Sequence, residues 1–188
     1  MRLDEIVDTN GMRFTDLKID GKSVLLRGRR RDTWTGDFQC SFSNLVSLEG
    51  APISVSGIFS CSNNRLTSLE GAPTKVGKMF SCSHNGLTDL VHAPMLVGAY
   101  FNAAGNNIAS LEGIHRQIKC VRGKFYAADN PITSRVLGLL LIEGVTLVEL
   151  DNGLVTHTLN KHLTSGRSGL IPCQNELLDA GLEEYAKL

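Results

Sequence analysis

At 188 residues the chain can form one domain that buries roughly 70% of the surface exposed by its unfolded form, and its 19 lysines and arginines equal its 19 aspartates and glutamates. That balance excludes an overall field drawing the protein to nucleic acid, anionic membrane or acidic ligands, so any such attraction must be local. The five cysteines are an odd number, and three recur at a fixed interval, which suits buried thiols in a reducing compartment better than a disulfide framework.

In chain order, Met1-Arg2-Leu3-Asp4-Glu5 lacks the basic start and apolar run of a signal peptide. The longest apolar stretch, Val136 to Ile142, is too short to span a bilayer. A cytoplasmic location without membrane contact is therefore expected. Residues 1–37 are predicted to form an N-terminal β cap, with Phe14 to Ile19 and Val24 to Leu26 as strands about a turn at Gly21, either a hairpin or an early degenerate unit. Arg27, Arg29, Arg30 and Arg31, with Trp34 nearby, make the one dense positive cluster. Such a run beside an aromatic can hold phosphates and stack a base; more often it is a solvated loop or a docking patch for an acidic protein.

From Phe38 onward the sequence repeats. Phe38, Phe59, Phe80 and Phe101 are 21 residues apart, and Phe125 follows after 24. The same steps carry Cys40, Cys61, Cys82, Ala103 and Ala127; Leu45, Leu66, Leu87, Ile108 and Ile132; and Leu48, Leu69, Leu90 and Leu111. Apolar columns sharing one period are the mark of a solenoid. A polar column of Asn64, Asn85, Asn106 and Asn130, with Ser43 in the first unit, falls two residues before each Leu or Ile. An amide there can bond backbone groups left free where a strand leaves its sheet, and stacked copies can bond one another.

Phe59 and Cys61 alternate with Ser60 and Ser62, the period-two pattern of a short strand with one face inward. The return leg, Ser68-Leu69-Glu70-Gly71-Ala72-Pro73, nearly repeats Ser47 to Pro52. It is turn-rich and too short for a full helix, so extended or irregular convex segments with at most a turn of 3₁₀ helix are expected. About five units span 38–134, and five stacked strands make a sheet only about 19 Å long.

The stretch Phe59-Ser-Cys-Ser-Asn-Asn64-Arg-Leu66-Thr-Ser-Leu69 resembles the Leu-x-Leu-x-x-Asn-x-Leu-x-x-Leu core of leucine-rich repeats, a specific match. The 21-residue spacing and the Leu-Thr-Ser-Leu-Glu-Gly-Ala-Pro turn are similar to the short repeats of bacterial and bacteriophage proteins. The ending, Leu159-Asn-Lys-His-Leu163, then Cys173-Gln-Asn-Glu-Leu177 and Glu183-Glu-Tyr-Ala-Lys-Leu188, is similar to the tail of phage-encoded proteins of this type. This resemblance implies a viral product in a host bacterial cytoplasm that binds a host protein, such as a defence component, and inhibits or diverts it. The short stretch after the repeats departs from the bacterial ubiquitin-ligase effectors, which carry a large catalytic domain there.

Residues 135–188 are predicted as a C-terminal cap. Val136, Leu139, Leu140 and Ile142 have helix-like spacing, and Val145 to Leu150 reads as a last strand. Leu154 to Leu163 and Gln174 to Leu188 read as amphipathic helices joined by Thr164 to Gly169. They either seal the end of the solenoid, as a repeat array requires, or make a homo-oligomer.

Catalytic chemistry finds no support. The cysteine column lacks the paired knuckles of a zinc site. His84, His92, His115, His157 and His162 fit no ligand or base pattern, and no phosphate loop or nucleophile motif occurs. No enzyme activity, metal or cofactor is expected. If Phe and Cys point inward, the residues before and between them face outward: Asp37, Ile58, Met79, Tyr100, Lys124, and Gln39, Ser60, Ser81, Asn102, Tyr126. Ile58, Met79, Tyr100 and Tyr126 would form an apolar stripe flanked by Ser60, Ser81, Asn102, Lys124 and His84. That is the makeup of an interface centre with a polar rim, and it predicts protein binding through the concave face.

Overall fold

The computed structural model describes residues 33–188, together with the backbone of 17–20 and 23–26. Those two segments are strands β1 (Leu17–Asp20) and β2 (Ser23–Leu26), which pair antiparallel as a hairpin. Phe14 and the cluster Arg27, Arg29, Arg30 and Arg31 lie outside the described residues.

From Thr33 the chain winds as a parallel β-solenoid, and each regular coil contributes two short strands to two different sheets. The first sheet has six strands in the order β13-β12-β10-β8-β6-β4. They are β4 (Phe38–Gln39), β6 (Phe59–Ser60), β8 (Phe80–Ser81), β10 (Phe101–Asn102), β12 (Lys124–Tyr126) and β13 (Leu147–Glu149). The second sheet has five strands in the order β11-β9-β7-β5-β3. They are β3 (Thr33–Trp34), β5 (Ser54–Val55), β7 (Lys75–Val76), β9 (Leu96–Val97) and β11 (Cys120–Val121). Of the extended or irregular segments expected on the convex side, these are the extended ones, and they pair into a sheet that the expectation did not include: Trp34, Val55, Val76, Val97 and Val121 form a further inward column, all buried.

The register is in phase with the repeat, Phe38 lying beside Phe59, then Phe80, Phe101, Phe125 and finally Val148. All five phenylalanines are fully buried. Their rings follow one another at centroid separations of 5.3, 5.7, 5.2 and 5.0 Å. Beyond the area removed from water, each such ring pair adds about 0.5–1.5 kcal/mol. Trp34 closes the ladder edge-on, 5.1 Å from Phe38, with its indole N–H donating to the Asp37 carbonyl at 3.1 Å. Because it is fully buried, Trp34 cannot serve as a stacking surface for a base, which removes it from the patch proposed around the arginines.

The corner between the two sheets turns on glycine. A Cβ on Gly77 would lie 2.1 Å from the Ser56 carbonyl oxygen, and one on Gly98 would lie 1.9 Å from that of Gly77. No side chain fits between coils stacked so closely.

The asparagine column bonds backbone rather than its own copies. Asn106 is typical: Oδ1 accepts from Leu87 N–H at 3.1 Å, while Nδ2 donates to Cys82 O at 3.2 Å in the preceding coil and to Ala103 O at 2.9 Å in its own. Asn64, Asn85 and Asn130 repeat the arrangement. Each amide thus satisfies groups that a tight turn would leave unpaired in the core. The cysteines of the neighbouring column are free and buried, each thiol donating weakly to a carbonyl of the next coil.

Past the repeats the chain forms a 3₁₀ helix (Leu137–Leu141), β13, helix α2 (Gly153–His162), a second 3₁₀ segment (Leu163–Gly169) and helix α3 (Leu170–Asp179). A four-residue helix, α1 (Ile114–Gln117), lies earlier, in the longer turn before β11. The last helix differs from the expected Gln174–Leu188. It begins earlier and ends at Asp179, and Gly181, whose φ is +72°, permits a Schellman ending: Leu182 N–H bonds Leu177 O at 2.8 Å and Gly181 N–H bonds Leu178 O at 2.9 Å. The tail then turns back on the repeats. Tyr185 donates its hydroxyl to Ile132 O, and Arg135 N–H bonds Glu184 O.

Val155, Leu159, Leu163, Cys173, Leu177 and Ala186 join the same core as the phenylalanine ladder. Among the described residues no helix is long and apolar enough to cross a membrane.

Candidate interaction face

The outward columns of the first sheet are set by strand alternation. With Phe and Cys inward, residues one before and one after each Phe project to the other side. The structure places the first column in a row across the sheet, Asp37, Ile58, Met79, Tyr100, Lys124, and extends it to Leu147, which pairs with Lys124. Tyr100 is 45% exposed; Ile58, Met79, Lys124 and Leu147 are half-buried. Leu147 is a member that the sequence reading did not collect, although the strand holding it was expected; following the column one coil further would have found it.

Tyr100 and Tyr126 are drawn together by a lysine. The Lys124 Nζ lies 5.8 Å from the Tyr100 ring centroid and 5.9 Å from that of Tyr126, within cation–π range of both. A hydrogen bond with Tyr126, reinforced by the Tyr126, Tyr100 and Glu149 side chains, holds the amine above its usual pKa. The lysine stays charged and bridges two rings.

The second column divides. Asn102 and Tyr126 are half-buried, and Asn102 turns its Oδ1 to the Ala104 N–H at 3.0 Å. Ser60 and Ser81 face the same side but are closed off, at 7% and 4% exposure. Their hydroxyls are committed within the protein: Ser60 to Ser41 at 2.7 Å and Ser81 to Ser62 at 2.7 Å, with Ser83 donating to Ser62 at 3.0 Å. These two serines, expected as polar contacts, instead form a hydroxyl network beside the stripe. Small side chains here leave the larger neighbours standing proud.

His84 is exposed at the rim, in a column whose members adopt positive φ: Phe42, Asn63, His84, Gly105 and Asp129. Its ring lies against Gly105, where a Cβ would come within 2.4 Å of His84 Nδ1. Phe42 shares the left-handed conformation, φ +56°, and is 78% exposed. A bulky residue pays for both features. The sequence reading passed over Phe42 because it fell outside the alternating columns; its mismatch with Asn63, His84, Gly105 and Asp129 was the available signal.

Burial pushes the Cys61 thiol up to about 12 and raises Cys40 and Cys82 as well, so none is poised as a nucleophile or ligand. Among the described residues no cluster of three His, Cys, Asp or Glu side chains could hold a metal ion.

Architecture and face together define a parallel β-solenoid repeat protein with a helical C-terminal closure. No protein-family model, no curated protein and no solved structure matches the chain.

Proposed function

We propose that the protein is a binding module that holds a protein partner on the outward face of its six-stranded sheet, with Tyr100, Tyr126 and Lys124 at the centre and Ile58, Met79, Asn102 and His84 around them. The observation that carries the proposal is the row itself. In a repeat whose inward columns hardly vary, this column changes from coil to coil and presents Ile, Met and Tyr to solvent. Tyr and Met are favoured at interface centres because they cover area and adapt to shape.

The coils are read as leucine-rich repeats of the short bacterial type, a reading supported by the buried Leu and Ile columns and the backbone-bonding asparagines. The narrower role, a phage-encoded factor that binds and inhibits or diverts a host bacterial protein, rests on the resemblance in sequence alone. A second reading, self-assembly through the C-terminal segment, is favoured by Leu154, Ile171 and Leu178, which remain exposed on α2 and α3.

Affinity capture from bacterial lysate tests the proposal. The wild type should retain a partner that the Tyr100→Ala/Tyr126→Ala variant loses, with both showing the same circular dichroism and melting temperature. Undiminished capture by the folded double variant would sink the concave-face assignment. A solution mass of two or more chains that falls to one on Ile171→Glu/Leu178→Glu would establish assembly instead.

A further inference from the structure

A repeat supplies its own control: where neighbouring coils agree on an outward residue and one coil departs, the core did not require the change. One return leg departs at several positions together. Leu66-Thr-Ser-Leu-Glu-Gly-Ala-Pro73 is answered one coil later by Leu87-Thr-Asp-Leu-Val-His-Ala-Pro94. The inward Leu87, Leu90, Ala93 and Pro94 are kept and buried, whereas Val91 stands where the other legs carry Glu49, Glu70 and Glu112. Met95 and Leu96 then replace Thr74 and Lys75, and the register sets Leu96 between Lys75 and Cys120.

Val91, Met95 and Leu96 are 53%, 45% and 42% exposed, and the five residues of chain from first to last hold them within about 17 Å. His92 shares the departure. Its φ is +66°, in a column whose other members, Gly50, Gly71 and Gly113, are glycines at positive φ; glycine takes that backbone freely and histidine against its Cβ. Charge is divided between the two ends of the leg. Glu70 and Glu112, one coil before and one after Val91, are exposed at one end, and Lys75 and Lys119, one coil before and one after the Met95–Leu96 pair, are exposed at the other. Glu112 meets Arg135 in an exposed pair at 3.4 Å, and the Lys119 amine donates to the His115 carbonyl at 3.2 Å. Among the described residues no ion pair involves Glu70, Lys75 or Lys119. None of these positions belongs to the tyrosine face.

We propose that this leg is a self-association surface whose occupant is a second copy of the chain, related by a two-fold axis through the middle of the leg. Half a turn about that axis carries the acidic end one coil before onto the basic end one coil after. Glu70 of each copy then faces Lys119 of the other, and Glu112 faces Lys75, while the apolar residues between them cover one another. A patch with acid at one end and base at the other is thus complementary to itself, as a two-fold interface demands. Nucleic acid is repelled by the acidic end, and a partner of one sign leaves the other end unmatched. Three apolar side chains make a small centre, so the pair belongs to the weak, concentration-dependent class. A dimer formed here displays two tyrosine faces and grips a partner bearing two matching sites more tightly than one chain does.

Sedimentation velocity of the full chain, from micromolar to near-millimolar concentration, tests this. The wild type should pass from one chain to two as concentration rises. Val91→Glu/Leu96→Lys should stay at one chain throughout and keep the wild-type melting temperature, because Glu70 and Lys75 already occupy those positions one coil earlier. Glu70→Lys should weaken the pair at least about tenfold by setting like charges against each other, and Glu70→Lys/Lys119→Glu, which exchanges the two signs, should restore it. Ile171→Glu/Leu178→Glu should pair like the wild type. One chain at every concentration, a pair undiminished in Val91→Glu/Leu96→Lys, a pair lost on Ile171→Glu/Leu178→Glu, or a double reversal no tighter than the single one would overturn the proposal.

Discussion

In the middle of the solenoid each strand edge is met by the next coil, whereas at the C-terminal end β13 is met by a helix. Phe80 N–H bonds Tyr100 O and Cys82 N–H bonds Asn102 O, each at 2.9 Å, and the pattern advances coil by coil. Beyond β13 no further coil follows, and side chains of α2 take over. Asn160 accepts from Val148 N–H at 2.7 Å and donates to Val148 O at 2.9 Å. Thr156 does the same for Leu150, at 3.1 and 3.0 Å. Asp151, which follows β13, accepts from Asp129 and Asn130 N–H. An amide and a hydroxyl thus copy the donor and acceptor of a strand that is not there, and the exposed ladder that would invite another chain is closed. A repeat array can therefore end without a repeat, provided the closing element presents both polarities at strand spacing.

The widest separation between the two regions is expected from their apolar cores. Phe80→Ala should cost about 3–5 kcal/mol, because the ring is fully buried and flanked by copies that cannot collapse into the gap. Chemical denaturation read by circular dichroism would measure it. A loss below about 1 kcal/mol would mean that the coils slide to fill the space, and that the ladder is less rigid than its register implies. Asn106→Ala comes next, at about 2–3 kcal/mol, since it strands the buried Leu87 N–H and three carbonyls. Asn160→Ala should cost less, about 1–2 kcal/mol, because it removes a bidentate pair at the solvent-facing end of the molecule. Equal losses for Asn106→Ala and Asn160→Ala would erase the distinction between coil and closure.

How much of this could be read from sequence follows the same division. Inside the repeat, register and burial were legible because every inward side chain is copied at a fixed step; Phe59, Cys61, Leu66 and Asn64 announce their surroundings through their counterparts. The second sheet was missed although its signal was present. Val55, Val76, Val97 and Val121 form a column of their own, and a glycine two or three residues before each Phe, such as Gly57 or Gly98, marks the corner that follows it. The turn-rich return leg masks both.

At the C-terminal end nothing is copied, so local pattern had to stand alone. It gave α2 closely, since Asn152 caps it by accepting from Leu154 and Val155 N–H. It overran α3, because the apolar spacing of Leu178, Leu182 and Tyr185 continues past a glycine that ends the helix. Of the interaction face, alternation gave the row but not its depth. Ser60 and Ser81 are closed off by neighbours that only packing reveals.

The smallest expected effect is a pH dependence that separates the closure's two attachments. Hydrogen bonds from Lys161 and His162 hold the Glu176 carboxyl below its usual value of 4.5, with both contacts at 2.7 Å. A group depressed in the folded state stabilises fully above its unfolded pKa, and that contribution is lost as pH falls through the folded value. The link between α2 and α3 should therefore weaken as pH falls below 4.5, and Glu176→Gln should flatten stability there. His115 acts in a different window. Its imidazole is held below 6.5 by burial and by Arg116, Lys119 and Arg167, so the unfolded chain takes up a proton before the folded one does. Stability should fall as pH drops below 6.5, and His115→Gln should remove that part of the slope. Melting temperatures across pH 3 to 8 would show two separable steps, each abolished by its own variant. A single step insensitive to His115→Gln would mean that Arg116, Lys119 and Arg167 do not act on the imidazole, and that the return leg and the closure are electrostatically independent.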